Sequence, residues 1–150
     1  MVVDDITAAL KQALLARDSE TATTLRGMKS VILNAEVAAG KRETGLPDDE
    51  VIGLLQKEAK KRQEAAQIYR DAGDEVRADK ELSEKAIIDK FLPEQLDEAT
   101  VATLVTEAID ATGATSMQDM GKVIGLVKAK TGATADGSVI AKLVKEKLTT

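Results

Sequence analysis

No cysteine occurs in the 150 residues, which excludes disulfides, a thiolate nucleophile and any zinc–thiolate site. Histidine is absent as well. With it go the side chain that titrates near neutral pH, the commonest metal ligand and the base of both triad types. An enzyme built on this chain has to work with carboxylates, lysine, serine, threonine or Tyr69 alone. Tyr69 and Phe91 are its only aromatic residues, too few for a base-stacking platform. The core must therefore come from Ala, Leu, Ile and Val, which suit close helix packing.

Long apolar runs are missing too. No stretch approaches the ~20 residues that cross a bilayer, and the opening MVVDDITAAL carries acids where a secretory signal carries bases. The expectation is cytoplasmic residence, with no membrane partner, no metal and no cofactor. A net charge of −5 argues against a general nucleic-acid coat protein, which needs a basic footprint to displace counterions, but leaves a local patch open.

What is present is globular composition: 43% apolar and 31% charged residues argue against disorder as the main state. The length fits one ordinary domain or two small ones. Apolar residues recur at helical spacing throughout. Ile6, Leu10, Ala13 and Leu14 predict a first helix over 5–17, and Asp18 with Ser19 supplies the cap of a second. Its buried face is expected at Leu25, Met28, Val31, Ile32 and Ala35, with Gly40 as the left-handed stop.

Leu46 and Val51 bracket Pro47 and three acids, a hydrophobic staple that opens a long third helix to about residue 72. Val51, Leu54, Leu55, Ala59, Ala66 and Tyr69 form its stripe. Gly73 breaks the run before a fourth helix over 74–91, expected to bury Ala78, Leu82, Ala86, Ile87 and Phe91.

Leu92-Pro93 is the clearest boundary, because the residue before proline is pushed away from helical angles. Three more helices follow: one from Asp97 to the stop at Gly113, one opened by Ser116 and Asp119 and stopped at Gly132, and one capped by Asp136. No segment alternates as a strand does. The fold class expected is all-α, an N-terminal four-helix part (1–92) with a long third helix, then a C-terminal three-helix tail bundle (93–150).

Charge is segregated within the tail. Residues 97–119 hold five acids and no base, whereas residues 120–150 hold six lysines against two acids, which predicts a dipolar surface. Lys122, Lys128, Lys130, Lys142, Lys145 and Lys147 can form a basic face or an ordinary solvated one. Gly121-Lys122-Val123-Ile124-Gly125 lacks both the spacing and the preceding strand of a phosphate loop. Its glycines share one helix face. There they either let a second helix approach, the favoured reading, or let a phosphate backbone come near while Lys122 supplies charge.

Lys57, Lys60, Lys61 and Arg62 read as a wet helix face. The acid pairs Asp4/Asp5, Asp48/Asp49 and Asp74/Glu75 could ligate a metal or act as an acid–base pair. All fall at helix starts, so capping is the expected role.

Several motifs then carry a family resemblance. Leu25-Arg26 with Lys29 and Asn34-Ala35-Glu36, then Leu92-Pro93-Glu94-Gln95-Leu96, then Gly121-Lys122-Val123-Ile124-Gly125, then Gly132 with Asp136-Gly137, resemble the YqeY-like proteins in order and spacing over nearly the whole chain. That family is similar to the C-terminal helical and tail regions of the B subunit of the glutamyl/aspartyl-tRNA amidotransferase, where the tail holds the tRNA body. A related module is attached to some glutaminyl-tRNA synthetases. Two departures stand out. Asp74 occupies the place of a common arginine, which weakens the case for a phosphate contact at that loop, and Ile124 replaces the usual methionine.

The resemblance implies a non-catalytic tRNA-associated module whose partner is tRNA or a tRNA-processing enzyme, an amidotransferase or an aminoacyl-tRNA synthetase. The expected tRNA-binding residues are Gly121, Lys122, Gly125, Lys128, Gly132 and Lys142, with no catalytic residue. So few aromatics imply recognition of shape and phosphate rather than of splayed bases. The alternatives are a protein-interaction adaptor without RNA, and a carbon–nitrogen ligase using glutamine as amido donor. For the last, no ammonia-releasing nucleophile or ATP site is visible.

Overall fold

Residues 1–149 are described in the computed structural model. Wherever apolar residues recur every three to four positions the chain is helical. It forms α1 (Val2–Leu15), α2 (Ser19–Ala38), α3 (Asp48–Asp71), α4 (Glu75–Asp89), α5 (Glu98–Thr112), α6 (Met120–Thr131) and α7 (Gly137–Thr149), with no strand among the described residues. Two compact units result, Met1–Leu92 and the part from Pro93 onward.

In the first unit α1 packs on α2, and α3 runs along α4. Ile6, Leu25, Met28, Ile32, Val51, Leu55 and Ile88 form its core. Val31, Ala35, Leu54, Tyr69, Leu82 and Phe91 are only half-buried. The first helix begins at Val2, three residues before the expected start. Asp4 and Asp5 thus lie inside its first turn, where the positive end of the helix dipole favours them. Arg17, at φ 57°, turns the chain before Asp18, whose carboxylate accepts the Thr21 amide at 3.1 Å and caps α2.

Leu46 and Val51 are both buried across Pro47, as a staple requires. Asp48 does not cap its own helix. Its Oδ1 accepts the Val2 amide at 3.1 Å and ties the start of α1 to the start of α3. In α4 the expectation for Ala86 is wrong: it is exposed, and Ile88 is fully buried. Alanine has little apolar area to hide, so the larger isoleucine decides the rotation of the helix.

Charges on the α3–α4 hairpin are paired across the seam. Arg62 bonds Glu81 at 3.4 Å and also Glu84, and the Arg77 guanidinium lies 5.8 Å from the Tyr69 ring centroid. Lys61 pairs with Glu58 at 2.9 Å, which offsets its repulsion by Lys57 one turn away.

The second unit is a bundle of α5, α6 and α7 in mutual contact. Its core is wholly aliphatic: Val101, Val105, Ala108, Val123, Val127, Ile140, Leu143 and Val144. Gly113 closes α5 at φ 67°, and a Ser116/Asp119 capping box starts a short 3-10 turn, Met117–Asp119, that feeds α6. Among the described residues no helix is long and apolar enough to cross a membrane, and no cluster of three or more carboxylates is placed to hold a metal ion.

Candidate functional site

An α-helix turns about 100° per residue, so Gly121, Gly125 and Ala129 span an arc of about 80° on α6. Val123, Val127 and Thr131 are buried on the opposite side. All three small residues are exposed, as are Lys122 and Lys128 at the edges of the arc. A Cβ built on Gly121 or Gly125 would meet no atom within 4 Å. No helix packs on that face in the unit, and the expectation of close helix packing at these glycines is therefore wrong. Their spacing places them on one face, but the core of α6 lies on the other.

The remaining expected residues are distributed as follows. Gly132 ends α6 at φ 54° and ψ −127°, a conformation that is essentially glycine-only. Lys142 stands apart on the outward face of α7, opposite Ile140 and Val144. Lys128 links the two helices: its Cε lies 3.2 Å from where a Cβ on Gly137 would be, so its side chain lies across the first turn of α7. The role of Gly137 was not legible in the sequence, where the Asp-Gly pair signals only a helix start.

A second unforeseen feature concerns the Leu92-to-Leu96 motif. The Gln95 side chain donates to the Ala133 carbonyl at 2.9 Å, and the Leu96 amide donates to that of Thr134 at 2.7 Å. The segment that reads as a boundary thus clasps the turn containing Gly132.

Three acids of this unit serve as caps. Asp97 accepts the Thr100 amide at 2.7 Å, Asp119 accepts the amides of Thr115 and Ser116, and Asp136 accepts both the amide and the hydroxyl of Ser138. Meanwhile Lys122, Lys128, Lys130, Lys142 and Lys145 have no carboxylate at ion-pair distance among the described residues. Lysine side chains left unpaired on a helix with an open small-residue face have the chemistry of a phosphate-contacting surface: positive charge at the edges and room for a backbone between them.

Hydrogen bonds from Thr100, hydroxyl first and amide second, hold the Asp97 carboxyl below the usual aspartate range. A depressed native value contributes stability that is present above the unfolded value and lost as pH falls through the native one. Denaturant resistance of the second unit is accordingly expected to decline below about pH 4. Asp97→Asn keeps an acceptor at the cap but does not titrate, so it should remove part of that decline. Urea midpoints measured at pH 7 and pH 3 test this; identical acid losses in both proteins would refute it.

The fold and this surface define a class, an all-helical two-unit chain with an aliphatic terminal bundle and an open basic helix. Within that class, the family model for YqeY-like proteins matches residues 3–148, and the chain belongs to this family. No curated protein matches it.

Proposed function

We propose that the chain is a non-catalytic tRNA-associated module of the cytoplasm, working in two parts, 1–92 and 93–150, with the tail part contacting the phosphate backbone. The observation that carries this reading is the open face of α6. Gly121 and Gly125 leave space for a backbone, and beside it stand Lys122 and Lys128, which form no ion pair among the described residues. Gly132 shapes the turn that follows, and Lys142 extends positive charge onto α7. Family membership and the resemblance to the tail of the amidotransferase B subunit favour tRNA over other polyanions. A tRNA-processing enzyme is then the protein that such a module would serve.

Filter binding of bulk tRNA over a series of salt concentrations tests the proposal. Retention should fall as salt rises, and Lys122→Ala or Lys128→Ala should each reduce the log–log slope by about one. The absence of salt-dependent retention up to about micromolar protein would overturn it.

A further inference from the structure

Leu33 and Val37 stand 44% and 55% exposed, one turn apart on the C-terminal half of α2. A hollow lies beside each. One, of about 240 Å³, is lined by Val3, Lys29, Ser30, Ile32, Leu33 and Glu36; the other, of about 390 Å³, by Val37, Gly40, Arg42, Glu43 and Thr44. Two exposed apolar side chains of α2 thus each border a hollow, the first along the helix and the second where the chain leaves it. Lys29 and Glu36 flank them, both half-buried, and neither has a hydrogen-bond or ion-pair partner among the described residues. Half-buried charges are normally paired, because partial desolvation without compensation is unfavourable.

We propose that this face of α2 docks a second copy of the chain, antiparallel, about a two-fold axis beside Leu33. Lys29 and Glu36 are seven residues, about two turns, apart and share one flank of the stripe. A two-fold axis perpendicular to two antiparallel helices brings like flank against like flank. Lys29 of each copy then meets the partner's Glu36, the axis falls between Ile32 and Leu33, and the two Leu33 side chains lie within about 1.5 Å of one level. A foreign helix would need an acid and a base placed in the reverse order to match. A second copy carries that order by symmetry. One helix face covers less than the ~800 Å² per partner of a standard interface, so the dimer should dissociate at micromolar concentrations.

Sedimentation equilibrium of the full chain tests this. The mass should rise towards twice that of the monomer between about 10 and 500 µM. Lys29→Glu or Glu36→Lys alone should weaken association by about tenfold or more, and the double exchange should restore it. A wild-type mass that stays monomeric over this range overturns the proposal, as does a double exchange that restores nothing. Because the chain has no cysteine, Leu33→Cys offers a second readout that asks little of folding. Under mild oxidation it should form a disulfide-linked dimer far faster than Glu64→Cys on the exposed face of α3; equal rates would refute the two-fold arrangement.

Discussion

Replacing Gly121 and Gly125 together by alanine is expected to make the protein more stable and a poorer ligand for tRNA. Both positions are helical, exposed and free of neighbours, so an added methyl group meets no atom of the protein. Glycine inside a helix costs about 0.5–1 kcal/mol relative to alanine through backbone entropy, so the pair should gain about 1–2 kcal/mol. Thermal unfolding would show this as a midpoint raised by roughly 4 °C or more. The same methyl groups occupy the space through which a phosphate backbone approaches Lys122 and Lys128. A loss of about tenfold in tRNA retention, equivalent to about 1.4 kcal/mol, should accompany the gain in stability. A higher midpoint with unchanged retention would mean that nothing binds at these glycines.

Arg62→Ala should be among the most damaging substitutions in the first unit. The Arg62 side chain is 22% exposed, and those of Glu81 and Glu84 are 23% and 15% exposed, so three charges share a nearly dry seam between α3 and α4. Removing the cation leaves two carboxylates facing each other in that seam. Breaking a fully buried pair costs 3–5 kcal/mol, and partial solvation here lowers the expected loss to about 2 kcal/mol. Substituting apolar residues for all three members behaves differently, because no charge is stranded. Arg62→Met combined with Glu81→Leu and Glu84→Leu should return stability to within about 1 kcal/mol of the wild type. Urea unfolding distinguishes the outcomes, and a loss below about 0.5 kcal/mol for Arg62→Ala would mean that water already screens the cluster.

Much of the helical framework was legible in the sequence because its signals are local. Asp18, Asp97 and Asp136 cap the helices they precede, and Gly40 and Gly113 take the left-handed turns assigned to them, since capping and positive φ depend on a few adjacent residues. Errors arose where a distant segment intervened. Asp48 reads as a cap but receives an amide from 46 positions away, and Ala86 fits the apolar stripe while Ile88 takes the core. In the candidate site the shared face of Gly121 and Gly125 followed from their spacing, but its exposure did not. Nor could one sequence show that Lys128 lies over Gly137 or that Gln95 clasps the turn after α6.

By itself the sequence determined an all-helical chain with an aliphatic core, without thiol or imidazole chemistry, and with acids and lysines segregated in its C-terminal third. Periodicity, capping and composition act within a few residues, so they need no knowledge of the partners. The tertiary structure alone decided which face of each helix is covered, and therefore that the glycines of α6 lie open and that its lysines form no ion pair among the described residues. Burial is a property of the neighbours a helix acquires on packing, and helical spacing places residues on a face without saying what that face meets.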